Sequence, residues 1–354
     1  MEKLTSKQRV LGLLTGEKVN RVACYSGTGT VWGAALEHYG YTFADAHHDP
    51  EKMANLAIYP FETTGFECAM VPFDICVEAE LLGCEINYFS DSDESIYPNI
   101  KKRLIMKSNE IEEVQVPNQV MAGRVPVVCE AIKLAKAKFG DQIPIGAHIL
   151  GPFTLATHLM DFNDLVMAVF KTPDKIQGLL EKLTPLLIKI AAAYEEAGAD
   201  YISLREMSGT TDIISPKQFN QLLQPELIKI IQKSGVPIIL HICGNTNKIV
   251  NHMVDCQANA ISVETRNNLS KTREDIGFES LVFGNIDGFG VLAKGAPEEV
   301  EKEVINCLRN GVDALWPGCE ISLKAPLENL KAMVRAVEKY GSLEWHRFTN
   351  ESSL

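Results

Sequence analysis

Eight short apolar runs, rich in β-branched residues, recur along the chain with amphipathic helical stretches between them. They are RVACYS (21–26), FECAMVPF (66–73), PIGAHIL (144–150), ADYISLR (199–205), PIILHI (237–242), ANAISVE (258–264), LVFGNI (281–286) and VDALWPG (312–318). Continuous apolar runs of this length suit strands buried on both faces, as in a parallel sheet covered by helices. Eight strand–helix units predict a (β/α)8 barrel, the TIM-barrel form of the α/β class. The first two runs are the most weakly written of the eight. A chain of 354 residues fits one such barrel, because α/β barrels often run long as single domains.

Helix boundaries support the alternation. Ser215, Pro216 and Gln218 form a capping box with proline in the first helical position, and Thr5 with Gln8 repeats the box near the N-terminus. Asp49 and Pro50 mark another start, which takes the adjacent His47 and His48 into a helix approach. Pro297 with the acidic residues after it suits a first turn, and Gly341 stops a last helix over 325–341. The stretch 89–123 is polar and irregular and reads as an insertion or lid after the second strand. Residues 1–354 are therefore expected to form a single barrel domain with an N-terminal helical extension and an insertion around 89–123. The tail 344–354 is expected to fray.

Composition excludes several function classes. The formal net charge is -12 and no basic run stands out, so nucleic acid and anionic membrane are not expected partners. No apolar stretch approaches the roughly 20 residues that span a bilayer. The N-terminus is charged and amphipathic and lacks the form of a signal peptide, which leaves a cytoplasmic location as the expectation. Nine cysteines are scattered along the chain; an odd, dispersed set argues against a disulfide framework.

In a parallel barrel, functional residues sit at the carboxyl ends of the strands. The fifth run ends in LHICGNTN, and alternate side chains of a strand point the same way, so His241 and Cys243 project together before Gly244 and Asn245 break the strand. The sixth run contributes Glu264, the seventh Asn285 and Asp287, the eighth Cys319, and the fourth Glu206. Neighbouring strands lie about 4.8 Å apart, so His241, Cys243 and Glu264 can reach one ion. Cys319 has to lean in from its loop. Thiolate and imidazole donors suit zinc. No CxxC knuckle is present, and ligands spread over barrel strands favour a catalytic rather than a closed structural site.

The spacing H-x-C-x75-C over His241, Cys243 and Cys319, with GRVPVVCEAIK (123–133), GPFTLATHLM (151–160), EAGADYISL (196–204), ISPKQF (214–219) and APLENLKAMV (325–334), resembles the zinc-dependent methylcobamide:coenzyme M methyltransferases of the uroporphyrinogen decarboxylase superfamily. The resemblance spans nearly the whole chain. It implies zinc held by His241, Cys243 and Cys319, with Glu264 as a catalytic carboxylate that can ligate the metal when no thiol is bound. It implies a thiol acceptor such as coenzyme M, and a methylated corrinoid (cobamide) delivered by a separate carrier protein. The chain has no DxHxxG-type cobalamin-binding motif, which fits a carrier in trans. The chemistry is coherent: a free thiol of pKa about 8.5 is mostly protonated at neutral pH, and zinc deprotonates it.

Rival readings share the barrel. Sister corrinoid methyltransferases demethylate methanol or aryl methyl ethers, or use tetrahydrofolate as acceptor. Arg205 and Glu206 stand where smaller, less charged residues are expected, which leaves the acceptor open. A uroporphyrinogen decarboxylase would need arginines after the first strand, but no arginine lies between Arg21 and Arg103; Asp74 alone falls near that family's aspartate. A purely structural zinc, or a corrinoid-binding partner protein, is the non-enzymatic alternative. Of the remaining residues, His148, Glu206 and Asp287 are the candidates for contact with substrate, His148 also with corrinoid. Cys256 and Cys307 are expected in the core, Cys24 lies near the upper rim, and Trp316 is expected to pack near the metal.

Overall fold

A computed structural model describes residues 4–342 apart from Thr30 and Asp93. The tail 344–354 lies outside the described residues. Ten strands form among the described residues: β1 (Ala23–Cys24), β2 (Ala69–Val71), β3 (Glu85–Asn87), β4 (Asn99–Lys102), β5 (Ile145–Leu150), β6 (Tyr201–Arg205), β7 (Ile238–Ile242), β8 (Ala260–Val263), β9 (Val282–Ile286) and β10 (Ala314–Pro317). Eight of them make one parallel sheet in the order β1-β10-β9-β8-β7-β6-β5-β2, and each of the eight falls within one of the apolar runs. The sheet is the curled (β/α)8 wall that the alternation predicts.

The two weakly written runs give the two shortest strands, and the barrel closes between them. The Glu67 N–H donates to the Cys24 carbonyl at 2.9 Å. The Glu67 carboxylate, fully buried, replaces further ladder bonds by accepting from Cys24 N–H at 2.8 Å, from Arg21 at 2.8 Å, and from Arg9.

Alternation along the strands aims one set of side chains inward. Tyr25, Tyr201, Phe283 and Trp316 meet inside the barrel, with Tyr25 edge-on to the other three at ring separations of 5.1–5.7 Å. Such edge contacts add about 0.5–1.5 kcal/mol each beyond burial. Trp316 thus belongs to an aromatic layer on the barrel axis. One step further along the strands lie Ser203, His241, Ser262 and Asn285, and beyond those the carboxyl-end rim. Gly27 and Gly29, after β1, let the chain dip into this interior: a Cβ would lie 2.0 Å from the Trp316 ring at Gly27 and 1.7 Å from the Pro72 carbonyl oxygen at Gly29.

Two long connections cover the rim. The first, after β2, holds the antiparallel β3–β4 pair, so the stretch expected to be irregular begins with a hairpin that opens before residue 89. The second, after β5, holds the helices Pro152–Leu159 and Phe162–Lys171. Ile105 joins the two through its N–H to the Leu159 carbonyl at 2.8 Å. The capping boxes at Thr5 and Ser215 form, Asp49 caps the helix Pro50–Thr64, and Cys256 and Cys307 are fully buried. No helix among the described residues is long and apolar enough to cross a membrane.

Candidate metal centre

His241 projects inward from β7 and is fully buried. In register beside it on β8 stands Ser262, whose Oγ lies 3.0 Å from His241 Nδ1. Donation of Nδ1–H to that hydroxyl leaves the Nε2 lone pair free to face Cys243 Sγ, 3.2 Å away. Gly244 then turns the chain at φ 70, where a Cβ would lie 2.6 Å from Thr210 Oγ1. A side chain there would displace the loop that aims Cys243.

Cys319 arrives from across the barrel. Gly318 N–H donates to the Ile286 carbonyl at 2.7 Å, which bends the chain inward after β10. The Cys319 Sγ comes to 3.1 Å from Cys243 Sγ, and the three donor atoms of His241, Cys243 and Cys319 lie within 4.8 Å of one another. The hydrogen bond from Cys243, with the Arg205 charge nearby, outweighs burial and holds the Cys319 pKa well below that of a free thiol. The same contact, with burial, pushes Cys243 up. Two soft sulfurs and one imidazole nitrogen whose tautomer is already set form a donor set that fits zinc and leaves a fourth tetrahedral position for a carboxylate or substrate.

Glu264 sits at the end of β8 with its carboxylate accepting from Gly244 N–H. The 4.8 Å cluster among the described residues consists of the His and the two Cys, with Glu264 outside it. Asn285 and Asn267 lace this rim together. Asn285 Nδ2 donates to the Glu264 and Asn267 carbonyls at 3.2 and 3.0 Å, and Asn267 Nδ2 to the Gly244 carbonyl at 2.9 Å. Ser262 and Asn267 went unread in the sequence. Ser262 lies two residues before Glu264, so the alternation that paired His241 with Cys243 also places it inward.

The other rim candidates divide sharply. Glu206 was expected as a rim carboxylate but caps a helix instead: it accepts from Phe153 N–H (3.0 Å), Thr154 N–H (2.7 Å) and Thr154 Oγ1 (2.6 Å). Burial pushes its pKa up to about 7. Asp287 accepts from Phe289 and Gly290 N–H at 2.9 and 2.8 Å, closing a turn. His148 is buried on β5 in register with Ser203; burial, with Arg205 nearby, lowers its pKa to about 3, so it is neutral at pH 7. Asp74 is bound bidentately by Arg124 at 2.7 and 2.9 Å, with His47 Nδ1 2.9 Å from its Oδ2.

Residues 5–340 match the family model described as uroporphyrinogen decarboxylase (URO-D). Among individual relatives, the methylcobamide:CoM methyltransferase MtaA of Methanosarcina barkeri is 33% identical over 342 residues, 96% of this chain and 99% of its own. The methylcobamide:CoM methyltransferase MtbA of Methanosarcina acetivorans is 32% identical over 348 residues, again 96% and 99%. A solved methyltransferase from Methanosarcina mazei superposes with a TM-score of 0.90 at 34% identity, covering 96% of this chain and 99% of that one. The chain therefore belongs to the uroporphyrinogen decarboxylase family, and within it to the methylcobamide:CoM methyltransferase branch.

Proposed function

We propose that this methyltransferase holds one zinc ion on His241, Cys243 and Cys319 and moves a methyl group from a methylated corrinoid, borne by a separate carrier protein, to the sulfur of coenzyme M. The observation that carries this is the convergence of one imidazole and two thiols within 4.8 Å on the inward-facing rim of the barrel. The relatives' names supply the substrates: methylcobamide and coenzyme M appear in both. Zinc, when bound there, supplies the Lewis acidity that deprotonates a thiol near neutral pH.

The chain's own residues do the rest. Ser262 holds the His241 ring in one tautomer. Cys319 contributes negative charge to the cluster, which keeps electron density on an acceptor sulfur beside it. Glu264, parked on Gly244 N–H, is the carboxylate placed to fill a fourth position before a thiol arrives. Neutral His148 inside the barrel and Asp287 on the rim are the proposed contacts for substrate and corrinoid. Decarboxylation finds no support at Asp74, whose oxygens are spent on Arg124 and His47.

Mixing the zinc-loaded protein with methylcobalamin and coenzyme M should remove the cobalt–methyl absorbance. A protein that leaves it unchanged but demethylates a methyl ether would replace this reading with the sister half-reaction.

A further inference from the structure

The two connections that cover the rim meet along a seam, and a cavity of about 340 Å³ lies in it. Ile75, Cys76, Pro98, Ile100 and Arg103 line it from the connection after β2, and His158 lines it from the helix Pro152–Leu159 after β5. Two contacts fix the walls. Cys76 Sγ donates to the Pro98 carbonyl at 3.5 Å. Ile105 N–H donates at 2.8 Å to the carbonyl of Leu159, the residue after His158. Cavities of about 300–1,000 Å³ with mostly apolar walls and a few placed polar groups are the form that small organic ligands occupy.

The polar groups of this cavity are unpaired. A guanidinium carries five N–H donors, and burying a donor without an acceptor is costly. Arg9, Arg124 and Arg273 each meet a carboxylate, of Glu67, Asp74 and Asp313 respectively. Arg103 meets none among the described residues, and its buried Nε has no hydrogen-bond partner there. Across the seam, His158 Nδ1 is likewise buried and unpartnered. Burial, with the Arg103 charge nearby, lowers the His158 pKa to about 4, so the ring is neutral at pH 7. One cation and one neutral imidazole therefore line a cavity to which no carboxylate among the described residues contributes. Asp74, next to Ile75 in the chain, is already bound by Arg124. Lys102, exposed on β4 beside Arg103, adds to the positive charge of this edge.

We propose that the seam cavity binds a small organic anion, its carboxylate or phosphate head on Arg103 and His158 and its apolar body against Ile75, Pro98 and Ile100, and that the bound anion ties the two covers together. Carboxylate and phosphate oxygens are the acceptors that a planar guanidinium fork matches. The neutral imidazole supplies a further N–H from the opposite cover. The site is separate from His241, Cys243 and Cys319, none of which lines the cavity, and it does not depend on the function proposed for them.

Titration calorimetry on the full chain, zinc-free and zinc-loaded, tests this with three probes built on one ring: benzoate, phenyl phosphate and benzyl alcohol. The better anion should saturate one site per chain at least about tenfold more tightly than the alcohol, equally in both metal states, and it names the head group. Arg103→Gln should weaken it about 10–100-fold, and Arg103→Lys should recover part of the loss. Urea unfolding should stay as it was, because the guanidinium has no partner to lose. Lys102→Gln, one residue away and outside the lining, should change the affinity by no more than about twofold. The bound anion should slow amide hydrogen exchange in both covers, over 97–107 and 152–160. Slowing on one cover alone overturns the bridge. Absence of saturable anion binding overturns the site. So does a Lys102→Gln loss equal to that of Arg103→Gln, which is diffuse surface charge, or binding that follows zinc and ignores Arg103, which belongs to the donor cluster.

Discussion

Asp74 after β2 and Glu320 after β10 both bind a buried arginine, and the two pairs are built to opposite specifications. Arg124 gives Asp74 two bonds and Glu80 a third, while the Tyr88 ring lies 5.0 Å from its guanidinium. Every guanidinium nitrogen is bonded, and the result ties the β2 end, the helix Val125–Phe139 and the β3–β4 connection together. Arg205 gives Glu320 one bond at 3.2 Å and keeps Nε unspent beside two sulfurs. A saturated pair holds a structure; an unsaturated one keeps a donor in reserve. The Asp74 pair beside β2 is thus scaffold, and the donor cluster proposed to hold zinc lies on the side formed by β6, β7, β8 and β10.

The largest effect that would test this division is metal loss. Cys319→Ser should reduce bound zinc from about one per chain to nearly none while circular dichroism stays barrel-like, because the strands pair without the cluster. Retained zinc would erase the chemical side of the contrast. Next, Asp74→Asn should cost about 3–5 kcal/mol in urea unfolding, since it leaves Arg124 buried against a neutral amide, with zinc content unchanged. A loss of zinc in that variant would show that the two sides are not separate. Ser262→Ala should weaken zinc about 10–100-fold in a competition with a chelator, with little change in unfolding.

The smallest effect is acid sensitivity. Burial opposes ionisation of Asp74, but Arg124 and His47 more than offset it and hold its pKa well below the usual carboxylate value. Its stabilisation is therefore complete above about pH 4 and drains away as pH falls through the folded-state pKa, at up to ~1.4 kcal/mol per pH unit. The Asp74→Asn protein should lack that part of the slope. Identical slopes in the two proteins would assign the acid sensitivity elsewhere.

What the sequence could show follows from where the partners lie. β5 to β10 are legible because each apolar run buries both faces, and β1 and β2 are faint because Glu67 does by side chain what longer strands do by backbone. His241 and Cys243 are legible through strand alternation alone. Cys319 is visible as a rim residue, yet its 3.1 Å approach to Cys243 depends on the Gly318 bend across the barrel. Glu206 misleads for a plain reason: its partners are mainly backbone N–H groups of Phe153 and Thr154, and a backbone donor leaves no mark in a sequence. Arg205 could be read as unusual but not as unsaturated, because saturation is a property of its surroundings.

The barrel's wiring also sets an order of events. β1 pairs with β10, Ala23 beside Ala314, so the first strand to leave a ribosome finds its sheet neighbour about 290 residues later. At roughly 5–20 residues per second, that is a wait of about 15–60 s. Cys319 follows within a few residues of β10. Wall closure and completion of the donor cluster thus fall at nearly the same moment of translation. A chain stopped before Ala314 holds His241 and Cys243 but can neither close nor complete the donor cluster, so the meeting of all three donors certifies that synthesis has run past the last strand.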